Sequence, residues 1–88
     1  MGRTVESYRT AIEREIKTWE GFRKALRNTD AEAFEKMMDA CRIYASAGSS
    51  ATRPILFEAM VMSILLNQQK ILMKLKDDFE DLKKKIQV

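Results

Sequence analysis

Residues 54–85 decide the fold, and they read PILFEAMVMSILLNQQKILMKLKDDFEDLKKK. The stretch has no glycine, and its one proline is the first residue, where a helix tolerates it. It predicts a helix, helix 3, of about 32 residues and about 48 Å. The first part, Ile55 to Leu66, is apolar nearly all round, so it requires cover on several sides.

From Leu65 onward the apolar residues of helix 3 follow a heptad, with charged residues at most other positions. The heptad consists of Leu65, Gln68, Leu72, Leu75, Phe79, Leu82 and Ile86. Such spacing is typical of a helix that packs along its length against another helix. We therefore predict an oligomer interface formed by Met60, Ile64, Leu65, Leu72, Leu75, Phe79, Leu82 and Ile86.

Two shorter helices are predicted before helix 3. Helix 1 spans about 5–27 with Thr4 as its N-cap, and helix 2 spans about 30–45. Asn28 suits the left-handed conformation that ends a helix, and Thr29 with Glu32 resembles a capping box. A connection this short predicts an antiparallel hairpin of helices 1 and 2.

A loop is predicted over 46–53, with Gly48 as the C-cap of helix 2 and Thr52 as a cap before helix 3. Its simplest interpretation is a flexible crossover. The alternative is a site for a small anionic ligand, because small residues let the backbone approach a bound group. The side chains that would contribute are Arg42, Ser46 and Arg53.

Helix lengths predict self-association. At 1.5 Å per residue, helix 2 measures about 24 Å and helix 1 about 35 Å, so neither can cover the whole of helix 3. The predicted fold is all-α, one domain over residues 1–88, with three helices assembled as a dimeric helical bundle. The alternative is a monomeric three-helix bundle whose last turns fray. Methionines such as Met37, Met38 and Met60 either fill this core or form an adaptable groove for a partner helix.

The composition argues against an enzyme. The chain has 88 residues with no histidine and one cysteine, which excludes the Ser-His-Asp triad and histidine-containing metal sites. It contains no glycine-rich phosphate loop. We expect no catalytic residue, no cofactor and no metal, and we expect Cys41 to be a buried, inert thiol. The single cysteine favours a reducing cytoplasm.

The net charge is +3, and both signs are interleaved along the chain. The longest apolar run, Ile55 to Leu66, is too short to span a membrane, which takes about 20 residues. An alternative function is nucleic-acid binding by basic residues of helix 1, doubled in a dimer. The residues concerned are Arg3, Arg9, Arg14, Arg23, Lys24 and Arg27.

Four segments of the chain are distinctive, and they are Met1 to Val5, Tyr8-Arg9, Ala45 to Gly48, and Phe57 to Met60 continuing through Met62 to Leu66. Together they resemble a family of short archaeal helical proteins with no assigned function. The resemblance implies an archaeal, cytoplasmic protein and identifies no catalytic residue. The leading hypothesis from the sequence is therefore a non-enzymatic interaction or scaffold protein that self-associates through helix 3. It is expected to form a homodimer, with or without a further protein partner.

Overall fold

The computed structural model describes residues 6–51 and 53–87, and this part of the chain is helical with no strand. It therefore confirms the all-α class and the long C-terminal helix. The count of three helices is wrong, because two of the predicted segments are interrupted. The observed helices are α1 (Tyr8–Thr18), α2 (Glu20–Ala25), α3 (Asn28–Ile43), α4 (Ala45–Ser50) and α5 (Leu56–Ile86).

The predicted helix over 5–27 is divided at Trp19. Trp19 has φ −96° and ψ 8°, which is outside the helical region, and its backbone N–H bonds to Ile16 O at 3.0 Å. The indole N–H donates to the Glu15 carboxylate at 2.9 Å, and the ring stacks on Phe57. Trp19 is neither glycine nor proline, and the nearest glycine, Gly21, lies inside α2. The Trp19 side chain is held at the break by Glu15 of α1 and by Phe57 at the beginning of α5.

The first helix begins later than predicted. Ser7 is its N-cap, and the Ser7 hydroxyl accepts a hydrogen bond from the Thr10 N–H at 3.1 Å. Glu6 precedes the helix and bonds to Arg14 Nε at 3.0 Å. The predicted cap Thr4, the predicted cap Thr52 and the predicted contact Arg3 lie outside the described residues.

The turn into α3 differs from the predicted capping box. Asn28 has a positive φ of 47°, the conformation that the sequence suggests, but it is the first residue of α3. Arg27 takes the cap position with an extended backbone, and its side chain makes no capping hydrogen bond. The box from Thr29 to Glu32 is therefore not the cap, since both residues lie inside the helix.

Helix α4 replaces most of the predicted loop over 46–53. The chain turns at Tyr44, with φ −97° and ψ 23°, and becomes helical again over Ala45–Ser50. Gly48 lies inside this helix and has no positive φ, so it is not a C-cap. A Cβ atom at this position would lie 2.8 Å from Tyr8 Cζ. The glycine is required by the close approach of that ring.

Helices α1 and α2 run antiparallel to α3 and α4, so residues near the start of α1 contact residues of α4, and residues of α2 contact the first part of α3. Tyr8 lies against Gly48, Arg42 binds Glu13 at 2.7 Å, and the Phe22 and Phe34 rings lie 5.6 Å apart. The order is reversed along the chain, which is the antiparallel arrangement that the short connection predicts. Helix α5 packs mainly against α3.

The core lies where α1, α3, α4 and the first part of α5 meet. Its centre consists of Ile12, Cys41, Ala45 and Met60. The Cys41 thiol donates to the Met60 carbonyl oxygen at 3.7 Å, which ties α3 to α5. This small cluster covers one side of α5 and leaves its other sides open.

Helix α5 begins at Leu56, two residues after Pro54, and extends well beyond the core. Every residue over 68–87 is exposed. The radius of gyration is 17.4 Å, whereas a compact domain of this length has about 12 Å. The longest dimension is 72 Å and the shortest is 15 Å. The last part of α5 is thus largely uncovered within the described residues, and the Lys70 ammonium contacts the rest of the chain by lying over the Tyr44 ring at 5.6 Å.

Candidate interaction surface

An apolar groove of about 560 Å³ lies between α3 and α5. Its bottom is formed by Phe34, Met38 and Met60, which are almost fully buried. Helices position these residues because the apolar side of each helix turns toward the other. The remaining lining residues are Trp19, Phe22, Leu26, Asp30, Ala33, Met37, Phe57, Val61, Ile64, Leu65 and Gln68.

Aromatic rings form one end of the groove. The Trp19 and Phe57 rings stack with centroids 5.9 Å apart, and Phe22 meets the edge of Trp19 at 5.7 Å. These contacts hold α2 against the beginning of α5. Phe22 is nevertheless 52% exposed and Phe57 is 46% exposed. Large, rigid and half-exposed rings are typical of protein interaction surfaces.

The outer part of α5 carries a row of exposed apolar side chains. Lys74 and Asp78 form an ion pair at 3.2 Å beside this row. The exposed fraction of each apolar residue in this row is more than one half in a single chain. The residues are Ile71, Leu72, Met73, Leu75, Phe79, Leu82 and Ile86.

Groove and exposed row form one continuous surface. Val61, Leu65 and Gln68 line the groove. Their spacing of four and three residues continues along α5 as far as Ile86. We call this line the apolar seam, and its members are Val61, Leu65, Gln68, Leu72, Leu75, Phe79, Leu82 and Ile86.

A single chain exposes more surface than a compact monomer of its mass. The chain exposes 7406 Å², whereas a compact monomer of the same mass exposes about 5,300 Å². Contiguous apolar patches beyond a few hundred Å² are rare on monomers and mark binding sites. The seam and the groove together are therefore the candidate functional site.

The predicted interface residues fall in two places. Leu65, Leu72, Leu75, Phe79, Leu82 and Ile86 lie on the exposed seam. Ile64 is half-buried beside the core, and Met60 is only 3% exposed. Met60 packs within its own chain because the Cys41 side of α3 covers it, so it contributes the bottom of the groove and not an outer contact.

Sequence reasoning missed the aromatic end of the groove and one seam residue. Trp19 and Phe22 look like ordinary core positions of a straight helix 1, and the break at Trp19 has no local signal. Phe57 lay within the apolar half of helix 3 without a specific role. Val61 did carry a signal, because it lies four residues before Leu65 and extends the heptad toward the N-terminus.

Two of the predicted nucleic-acid contacts, Arg14 and Arg23, form ion pairs with carboxylates of the same chain. Arg14 binds Glu6, and Arg23 binds both Glu20 and Glu35. The pKa of Glu6 is lowered by its hydrogen bond to Arg14. Arg9, Lys24 and Arg27 are exposed residues of the same region. Phosphate binding by the paired arginines would have to displace these partners, and the nucleic-acid hypothesis stays a prediction.

The residues of the predicted anion site are placed on different elements. Arg42, on α3, binds Glu13 at 2.7 Å and Asp39 at 2.9 Å, and the hydrogen bond that the Arg42 guanidinium donates to the Glu13 carboxylate raises the pKa of Arg42. Ser46 is exposed on α4, and Arg53 binds Glu58 at 2.8 Å. The two arginines therefore already have acidic partners, and anion binding stays a prediction.

Groups able to carry chemistry are sparse in the described ranges. No group of three or more His, Cys, Asp or Glu residues there could hold a metal ion. Burial raises the pKa of the Cys41 thiol, which disfavours the nucleophilic thiolate. The Tyr8 hydroxyl is buried without a hydrogen-bond partner, and burial raises its pKa as well.

Within the described residues, no helix has the length and apolar character needed to cross a membrane.

Comparison with known proteins gives one match. A family described as Domain of unknown function (DUF8156) matches residues 1–88. No curated protein and no solved structure matches the chain. The family description states no activity, so function has to be argued from the groove and the seam.

Proposed function

We propose that this chain, which belongs to the family described as Domain of unknown function (DUF8156), is a helical interaction protein that self-associates through α5. One observation carries the proposal. The apolar seam leaves the groove at Gln68 and continues to Ile86 along a stretch of helix whose residues are all exposed in a single chain. The proposed role is non-enzymatic, as a dimeric scaffold.

An isolated helix end of this kind is a poor structure for a monomer in water. Most helical stability in proteins comes from packing of an apolar face, and lone helices of modest length are marginal. Every residue over 68–87 is exposed, although the Lys70 ammonium lies over the Tyr44 ring, 5.6 Å from its centroid. A second helix against the seam would supply the missing packing along the whole segment.

The energy available is large enough for association. Burying one exposed Leu, Ile or Phe side chain contributes about 1.5–3 kcal/mol, and about half of that applies to a half-exposed one. Six such residues lie on the seam of each chain from Leu65 to Ile86. Two copies would gain on the order of 15 kcal/mol, against an association cost of about 4–15 kcal/mol.

Light scattering tests this proposal. At micromolar concentration we expect wild type to have twice the chain mass of 10.2 kDa. Leu72→Glu should lower the mass toward that of one chain, because a carboxylate would be buried in the seam. Lys84→Gln is the matched control, since it changes the charge equally on a side away from the seam. Wild type at the mass of one chain would contradict the proposal.

The proposal also includes a location in the cytoplasm and leaves nucleic-acid binding as the alternative function. A buried, unpaired cysteine fits a reducing cytoplasm. The archaeal origin implied by the resemblance stays a prediction. The nucleic-acid alternative is tested by gel shift at two salt concentrations, because phosphate-driven binding weakens steeply with salt. Self-association without a shift would favour the scaffold role.

A further inference from the structure

We propose that two copies pair through α5 in a parallel, in-register coiled coil over residues 61–86, with Gln68 setting the direction. This inference rests on the proposed self-association and adds its geometry. In heptad terms the a positions are Leu65, Leu72, Phe79 and Ile86. The d positions are Val61, Gln68, Leu75 and Leu82.

Gln68 is the one polar residue of the seam. In an antiparallel pair each d residue faces an a residue of the other helix, and all four a residues are apolar. The Gln68 amide would then be buried against a hydrocarbon side chain, which costs free energy because its donors and acceptor lose water. In a parallel, in-register pair it faces the partner's Gln68. Two amides can donate to and accept from each other.

Charges beside the seam favour the same direction. Asp78 lies at a g position and Lys83 at the e position five residues later, which face each other across a parallel pair. The symmetric dimer would make this contact twice. In an antiparallel pair g faces g and e faces e. Two g residues of opposite charge are Asp78 and Lys85. In an antiparallel pair they face each other only if the two helices overlap over Leu75–Ile86 alone. Such a short overlap would leave the groove uncovered.

The groove fits the same twofold arrangement. Val61, Leu65 and Gln68 belong both to the seam and to the groove lining. A twofold axis along the seam therefore brings the two grooves face to face and covers the half-exposed Leu65 and Phe57. The surface in excess of a compact monomer is about 2,000 Å² for each chain. Stable homodimers bury about 2,000–5,000 Å² in total.

Disulfide trapping tests the direction. In Leu82→Cys, oxidised and reduced glutathione should convert nearly all of the protein to a covalent dimer, since equivalent d residues meet in a parallel pair. In a fully overlapped antiparallel pair the two introduced cysteines would lie about 25 Å apart, and a disulfide requires less than about 7 Å between Cα atoms. Wild type is the control, because Cys41 is buried and should not cross-link.

Mixing variants separates the possible failures. If the pair is antiparallel, Leu65→Cys mixed with Leu82→Cys cross-links while neither variant does so alone, and the direction proposed here is overturned. If light scattering under reducing conditions shows only single chains, self-association itself has failed. Cross-linking of Leu82→Cys alone, with the mass of two chains before oxidation, supports both proposals.

The role of Gln68 has its own test. Gln68→Leu removes the one polar pair and leaves only the exposed charges beside the seam, so we expect a dimer with a much weaker preference for the parallel direction. Adding Gln68→Leu to both cysteine variants should make the mixed 65–82 cross-link appear, and Gln68→Asn should keep it absent. If Gln68→Leu leaves the mixed cross-link absent, Gln68 does not set the direction.

Discussion

The inner and outer parts of α5 differ in cover although both are rich in apolar residues. The inner part, 56–67, buries Ala59, Met60 and Ser63 against the rest of the chain. The outer part, 68–87, buries nothing. One chain therefore has enough helical surface to cover one side of the inner part of its longest helix. The outer part is where the proposed partner would pack.

The largest expected effect is a loss of stability when a buried isoleucine is shortened, compared with an exposed one. Ile12→Ala should lower the free energy of unfolding by about 3 kcal/mol, since it leaves a cavity in the core. Ile12 is 1% exposed, whereas Ile43 is 67% exposed. Ile43→Ala is the matched control and should change stability by less than about 0.5 kcal/mol. Equal losses in chemical denaturation would contradict the described core.

The next effect concerns the layer that covers the inner part of α5, where α1 meets α4. Gly48→Ala should destabilise by about 2 kcal/mol, because the added Cβ would lie 2.8 Å from Tyr8 Cζ. Gly21→Ala should stabilise by about 1 kcal/mol, since nothing lies within 4 Å of a Cβ there. Thermal unfolding measures both. A neutral Gly48→Ala would mean that the ring is not held so closely.

Hydrogen exchange should divide α5 at the boundary between the two parts. Leu75→Glu removes the proposed partner from the outer part, so amide exchange over 68–87 should accelerate roughly tenfold or more. Amides over 56–67 bonded within the covered helix should keep most of their protection. Mass spectrometry of peptides resolves the two ranges. Uniform acceleration along α5 would show that the two parts open together.

The smallest effect comes from the ion pair between Glu13 and Arg42, which joins α1 to α3. Its hydrogen bond with Arg42 lowers the pKa of Glu13 from the ordinary value of 4.5. A lowered pKa stabilises the fold above that value, and the contribution is lost as pH falls through the folded-state pKa. Both side chains are partly exposed, so Glu13→Gln should cost only about 0.5 kcal/mol at pH 7.

Denaturation of Glu13→Gln and wild type at several pH values measures this contribution. The difference between them should be constant from pH 7 down to pH 5 and should vanish in stronger acid. A difference that grows on acidification would have the wrong sign for a carboxylate paired with an arginine.

The seam could be predicted from the sequence because its signal is local. Leu65, Leu72, Phe79 and Ile86 repeat every seven residues, and this repeat places them on one side of any helix. The groove could not be predicted in the same way. It exists because Trp19 stacks on Phe57 and Phe22 approaches Phe34, which are contacts between residues distant in sequence.

The helix breaks show the same limit. Trp19 and Tyr44 both have backbone angles outside the helical region, and neither is a residue that ends helices by itself. Gly48 has the residue type of a helix end but lies inside α4, where its missing side chain makes room for Tyr8. Local residue type therefore predicted an end in the wrong place and missed two breaks.

The helical class, the length of the last helix and the line of its apolar seam could be predicted from the chain alone, because they depend on composition and on spacing along one helix. The positions of the breaks in the first helices and the set of covered apolar residues depend instead on contacts between helices. Burial depends on contacts such as Cys41 with the Met60 carbonyl, which join separate helices. For that reason the groove, and its continuity with the seam at Gln68, became visible only in the folded chain.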